Sequence, residues 1–461
     1  MINASHSSGR LTYWAPYAWT PDGIRRNVRM AVRDGMFVQV EANVDPTAAD
    51  KAIHGLVIPG AANCHSHTFH RALRGLGSEG STFWQWRETM YRVAANLTPD
   101  RYYRYARAVY TEMLLAGYTT VCEFHYVHHQ PDGTPYRDPN AMGKALISAA
   151  RDAGIRLTLL DACYLHAGVD GSPLSAEQSR FGDGSAQAWR ERVEALDVDL
   201  DPETRRAVRL GAAAHSVRAC SPTEASVVAG WTRDVTPGQP ARPLHVHLSE
   251  QPAENEACIA ATGMTPARLL DAAGFWGPNA VAVHATHLTG DDVATLARSG
   301  ARVAMCPTTE ADLADGIGPA AALRDAGVEL CVGSDENVCI DPFEEVRRLD
   351  GHQRLASGKR DGFAPAELLA IMTGQGQRAA GWPECGAIAE GRAADFIAID
   401  TASPRTAGAS PDSLPLVATG ADVEDVVVAG RRVVRNHQHR DGEPAQAIAA
   451  ITAKLREHGG Q

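Results

Sequence analysis

Apolar and polar positions alternate in short runs at both ends of the chain, whereas in the middle short apolar runs are separated by helix-length patterns. Near the start, residues 27–32 reach a turn at Arg33-Asp34-Gly35 and are followed by 36–40, the pattern of a small antiparallel sheet. The same texture returns at 394–399, at 423–428 and, past a turn centred on Gly430, at 431–434. One small β-sandwich domain assembled from both termini is predicted. Between the ends, β-type runs at 118–121, 156–160, 244–248, 281–283, 302–305 and 330–332 alternate with helical candidates such as 99–116 and 141–153, the latter stopped by Gly154. Repeated strand–helix alternation predicts an α/β fold with parallel strands and outer helices, closed as a (β/α)8 TIM-like barrel. The expected division is 1–59 and 386–461 for the small β domain and 60–385 for the barrel. No fixed-period repeat is visible, and the polar stretch 400–413 reads as a loop of the small domain.

Length agrees with two domains, because 461 residues exceed the ~250 of a typical barrel. With 44% hydrophobic and 21% charged residues, no uncharged apolar run approaches the ~20 residues that cross a bilayer, so no membrane partner is expected. The first residues carry neither a basic n-region nor an apolar h-region, which predicts a cytoplasmic protein. Nine cysteines without a C-x-x-C pair read as reduced, mostly buried thiols rather than catalytic groups. A formal charge of -11 without Lys/Arg blocks argues against nucleic acid and for a small-molecule substrate. If that substrate is anionic, the arginines that bind it must be gathered locally.

Candidate chemistry sits where apolar runs end. The run 55–58 leads through Pro59-Gly60 to His65-Ser66-His67, two imidazoles that share a face of an extended chain and can reach one ion. Then come His245-Val246-His247-Leu248-Ser249-Glu250, Val283-His284-Ala285-Thr286-His287 and Val332-Gly333-Ser334-Asp335, each after a strand-like run. Taken singly, these are ordinary loop histidines and a helix-capping aspartate. Four in order on separate strands match the C-terminal strand ends, where barrel enzymes keep catalytic groups. Imidazole and carboxylate donors suit one divalent ion, zinc or iron(II), with a position left for water.

This order of motifs, with its Pro-Gly lead-in and a β domain from both termini, resembles the amidohydrolase superfamily over essentially the whole chain. Cys306-Pro307-Thr308-Thr309 is similar to the branch containing aminohydrolases of purines, cytosine and related amines. Three longer strings resemble the formimidoylglutamate deiminases of histidine degradation: Phe83-Trp84-Gln85-Trp86-Arg87-Glu88-Thr89-Met90-Tyr91, Glu123-Phe124-His125-Tyr126-Val127-His128-His129 and His215-Ser216-Val217-Arg218.

The resemblance implies His65, His67, His247 and Asp335 as metal ligands, with Asp335 also accepting the proton of the attacking water. It implies Glu250 and His284 beside the reacting carbon, and Arg87, Tyr126, His215 and Arg218 around the glutamate part of the substrate. A dicarboxylate does need guanidinium forks and hydroxyl donors, since a buried carboxylate must be paired. A homodimer is also implied. One departure stands out: where the family carries a substrate-facing glutamine after the HxH, this chain reads Thr68-Phe69-His70-Arg71, so His70 either replaces the amide as a hydrogen-bond donor in the pocket or marks a changed substrate. His287 is expected to be structural. The rival readings are another aminohydrolase, acting on an amidine, purine or pyrimidine, and a barrel reused as a non-catalytic scaffold.

Overall fold

Two of the β-type runs belong to strands buried on both faces along their whole length, polar residues included, as expected for parallel strands covered by helices. The computed structural model describes residues 10–76, 83–360 and 362–457, with the backbone alone for 83–85. Residues 1–9, on which the expectation about a leader rests, lie outside the described residues, as do the side chains of Phe83, Trp84 and Gln85.

Eight parallel strands follow one another around the barrel: β1 (Ala61–Ser66), β2 (Tyr118–His125), β3 (Arg156–Cys163), β4 (Val208–Ala214), β5 (Leu244–Leu248), β6 (Ala280–His284), β7 (Arg302–Met305) and β8 (Leu330–Val332). The ring is drawn together at its upper rim, where Ser66 bridges Asp335 in parallel register. There the Asp335 N–H donates to the His65 carbonyl and the His67 N–H donates to the Asp335 carbonyl, both at 2.9 Å. A side chain at Gly333 would meet His65 backbone at 2.7 Å, so only glycine lets the last strand approach the first this closely.

The remaining strands form one nine-stranded mixed sheet from both chain ends. Leu56–Pro59 is the splice: it runs parallel to Leu11–Thr20 and antiparallel to Phe396–Ile399. This sheet has its own core, in which Tyr13, Val28, Phe37, Phe396 and Val427 pack together. The helix Ala445–Arg456 leaves the sheet and lies against the barrel, where Arg456 donates to the carbonyls of Ala72 at 2.6 Å and Arg74 at 2.8 Å.

Two details differ from the sequence reading. The run 55–58 is not the strand that carries the histidines; it belongs to the terminal sheet, and the chain passes through Gly60 into β1. A Cβ at Gly60 would lie 2.3 Å from the Thr119 side chain, which explains the glycine at this crossing. Strand β4, Val-Arg-Leu-Gly-Ala-Ala-Ala, was not among the predicted runs because small residues give it little β-type signal. All nine cysteines are free and eight are buried. Among the described residues no helix is long and apolar enough to cross a membrane.

Candidate active site

The strand ends bring the predicted residues to one mouth of the barrel. Every one of them except His65, that is His67, His70, Arg87, Tyr126, His215, Arg218, His247, Glu250, His284 and Asp335, lines a single cleft, and His65 is fully buried against His247 and Asp335. The His247 and His65 Nε2 atoms are 3.1 Å apart, and Asp335 Oδ1 is 3.3 Å from His65 Nε2 and 3.5 Å from His67 Nε2.

Backbone carbonyls fix two of these rings. His67 Nδ1–H donates to the Phe124 carbonyl and His247 Nδ1–H to the His215 carbonyl, both at 2.9 Å. A carbonyl only accepts, so both Nε2 atoms present lone pairs to the centre. Burial, together with the neighbouring imidazoles, pushes His65 and His247 well below the ordinary histidine value and His67 down to about 3. Neutral imidazoles aimed at one another beside a carboxylate have too few protons to satisfy their lone pairs. That donor set fits a divalent cation.

His284 and Asp335 both occupy left-handed backbone, at φ 67° and 44°, a strain that non-glycine residues keep only when their surroundings over-determine it. His284 Nε2 is 3.8 Å from both Glu250 Oε1 and Asp335 Oδ2, and its Nδ1 is 3.8 Å from Glu310 Oε1. Burial opposes a charge on this ring, yet Glu250, Glu310 and Asp335 together push it up to about 10. Carboxylates therefore face this imidazole on both sides.

Further out, His70 Nε2 lies 2.9 Å from the Tyr126 hydroxyl, and burial, then the His67 ring, holds His70 well below its ordinary value. Arg87 stands over the Tyr91 ring, 5.5 Å from its centroid. Arg218 reaches the cleft, but its Nε is 3.0 Å from Glu254 Oε2 and its Nη2 is 3.9 Å from Glu250 Oε2. The fork of this half-buried guanidinium is thus shared with the protein's own acids, of which Glu254 is buried and requires a charged partner. His287 bonds to the loops, with Nε2 2.8 Å from the Asp315 carbonyl.

Sequence reasoning missed several contributors. Asn337 donates through Nδ2 to the carbonyls of His67 and Asp335 at 3.0 Å and to Ser66 Oγ at 3.2 Å, while its Oδ1 accepts from Ser334 at 2.6 Å. Its place two residues after Asp335 was the available signal. Asp315, pushed up to about 9 by burial and by Glu250, takes a hydrogen bond from the Gln251 amide. Glu310 accepts the Cys306 N–H at 2.9 Å. Both acids sit in loops or short helices whose position no periodicity reveals.

A parallel barrel whose rim gathers imidazoles and carboxylates in this order is the architecture of the amidohydrolase family, to which the chain belongs: that family's model matches residues 56–433. It is a hydrolase acting on carbon–nitrogen bonds. The chain is 38% identical to formimidoylglutamate deiminase of Pseudomonas aeruginosa, over 96% of this chain and 99% of the relative. Among solved structures it is similar to an amidohydrolase from Brucella melitensis, with a TM-score of 0.89 and 33% identity over 97% of this chain and 100% of that one. It shares its fold with an adenosine deaminase from Xanthomonas campestris with bound zinc, at a TM-score of 0.80 and 22% identity over 96% and 97%.

Proposed function

We propose that this protein hydrolyses N-formimidoyl-L-glutamate to N-formyl-L-glutamate and ammonia, a step of histidine degradation, using one divalent ion, zinc or iron(II), held by His65, His67, His247 and Asp335. The observation that carries the reading is that Arg87 and Arg218 line the same cleft as the converging imidazoles and Asp335. Two guanidinium groups suit a substrate with two carboxylates, whereas a purine or pyrimidine brings no carboxylate to neutralise them. The 38% identity to a formimidoylglutamate deiminase supports the same substrate. The reading includes a cytoplasmic location and a homodimer.

A divalent ion, when bound, lowers the pKa of water from ~15.7 towards ~7 and so supplies a nucleophile at neutral pH. The chain's own groups manage the protons. Water adds to the amidine carbon, forming the C–O bond, and Asp335 accepts the proton released. Both protons of that water reach the departing nitrogen, one from Asp335 and one, released as the carbonyl forms, through Glu250; the C–N bond then breaks and ammonia leaves. His284, with Nε2 3.8 Å from both carboxylates, donates Nε2–H to the oxygen on which charge develops. Arg87, Arg218, Tyr126, His215 and His70 hold the glutamate part, which fixes the amidine carbon over the site.

Ammonia release from the zinc-loaded protein is the test, with N-formimidoyl-L-aspartate, guanine and cytosine as parallel substrates. A kcat/KM of ~10⁴ M⁻¹s⁻¹ or more for N-formimidoyl-L-glutamate, well above the others, is expected. Preferential turnover of guanine or cytosine would sink the reading.

A further inference from the structure

Glu336 lines the cleft beside Asp335 and His284, yet it has no part in the chemistry above. It is 2% exposed, and neither carboxylate oxygen accepts a hydrogen bond from an N–H or O–H group among the described residues. The carboxyl of Asp312 comes within reach, but two carboxyls pair only by sharing a proton. The other charged neighbours that bear on it, Asp335 and Asp315, are acids as well. A buried carboxyl in a cleft wall without a donor is costly to keep unless a ligand supplies one.

The rim as a whole is divided by charge. Arg87, Tyr126 and Arg218 enter from the segments after β1, β2 and β4, while Glu250, Asp315 and Glu336 follow β5, β7 and β8. Because the strands run around the barrel in sequence order, one half-rim carries guanidinium groups and the other carries acids. A substrate with carboxylates at one end and a cationic head at the other fits that division.

We propose that Glu336 is a specificity-determining residue that accepts an N–H of the substrate's amidinium head, while Arg87 and Arg218 hold its carboxylates. This rests on the formimidoylglutamate reading and adds a recognising group to it. The neutral isostere of such a head, with oxygen in place of the =NH₂⁺ group, has no N–H to give at that position.

Calorimetry on the zinc-loaded full chain separates the two ideas, because it needs no turnover. The probes are N-amidino-L-glutamate, which is cationic at its head, and N-carbamoyl-L-glutamate, its near-isosteric neutral counterpart. Glu336→Gln should weaken the first roughly ten- to hundredfold, as expected for a lost charge-assisted hydrogen bond, and the second less than about threefold. Equal weakening of both probes, or of neither, overturns the inference. If Glu336→Gln melts early, Glu336→Asp decides: a cation preference cut about threefold or more supports the role, and an unchanged one overturns it. Charge-dependent binding without turnover of N-formimidoyl-L-glutamate keeps Glu336 and overturns only the reaction. Failure of both probes to bind the unaltered protein overturns the two together.

Discussion

His65 and Asp335 are joined twice: the Asp335 N–H donates to the His65 carbonyl at 2.9 Å, and their side chains meet at 3.3 Å. The same pair thus ties the first barrel strand to the last and supplies two of the proposed ligands. Binding an ion here should hold the barrel shut. Dialysis against a chelator is expected to abolish ammonia release and lower the melting temperature, and either zinc or iron(II) should restore both. Occupancy at a hundred times Kd corresponds to about 2.7 kcal/mol of added stability. A melting curve that ignores chelation would separate closure from metal binding.

Asp335→Asn preserves shape and removes the proposed proton acceptor. It should lower kcat by about a thousandfold or more, with metal content measured alongside. A near-normal rate in metal-loaded Asp335→Asn would remove the residue from the chemistry.

Arg218, proposed above to hold substrate, also neutralises Glu254, 3.0 Å away. Arg218→Ala should lower kcat/KM for N-formimidoyl-L-glutamate at least about a hundredfold and also lower the melting temperature, because a buried acid loses its partner. Adding Glu254→Gln should recover the melting temperature but not kcat/KM. Recovery of both would show that the arginine serves structure alone.

Asn337 holds the His67 and Asp335 carbonyls at 3.0 Å from a left-handed backbone, φ 59°. Asn337→Gly keeps that backbone at ease and deletes the amide, so zinc affinity should fall about ten- to hundredfold, the range for lost support behind a metal ligand. Competition with a calibrated chelator reads the change, and unaltered affinity would make the amide dispensable.

Asp422 gives a pH-dependent prediction away from the cleft. Burial works against its charge, but Arg405, Ser403 and Thr419 hold its carboxyl at about 2. Its folded value lies below the ordinary aspartate value of about 3.9, so the stabilisation is present above that pH and is lost as pH falls through about 2. Asp422→Asn should cost about 2 kcal/mol at pH 7, with the gap to the unaltered protein closing in denaturant titrations below about pH 4. A gap independent of pH would assign the cost to packing.

How much of this could be read from sequence depended on what each residue advertises. Strands such as β6 and β8 match the predicted runs because their apolar character is continuous and bounded. Strand β4 did not, since Gly211 is small for a tertiary reason: a Cβ there would lie 2.7 Å from the Pro243 carbonyl oxygen. The histidines and Asp335 announced themselves through position at strand ends. Glu254, Glu310, Asp315 and Glu336 did not, because an acid on a loop or in the first turn of a helix looks solvated until folding buries it. The pairing of Arg218 with Glu254 likewise depends on two segments that meet only in the barrel.

The splice at Leu56–Pro59 carries a consequence for how the chain comes to be folded. Its antiparallel partner, Phe396–Ile399, is made only after all eight barrel strands. During synthesis one edge of the N-terminal strands therefore waits, unpaired, while the barrel grows, and contacts so distant in sequence form slowly. The segment that leads into His65 gains its final neighbour last. A ribosome that stalls before residue 396 would release a chain whose catalytic half is fully encoded but whose entrance strand still has an open edge, ready to pair with a second unfinished copy.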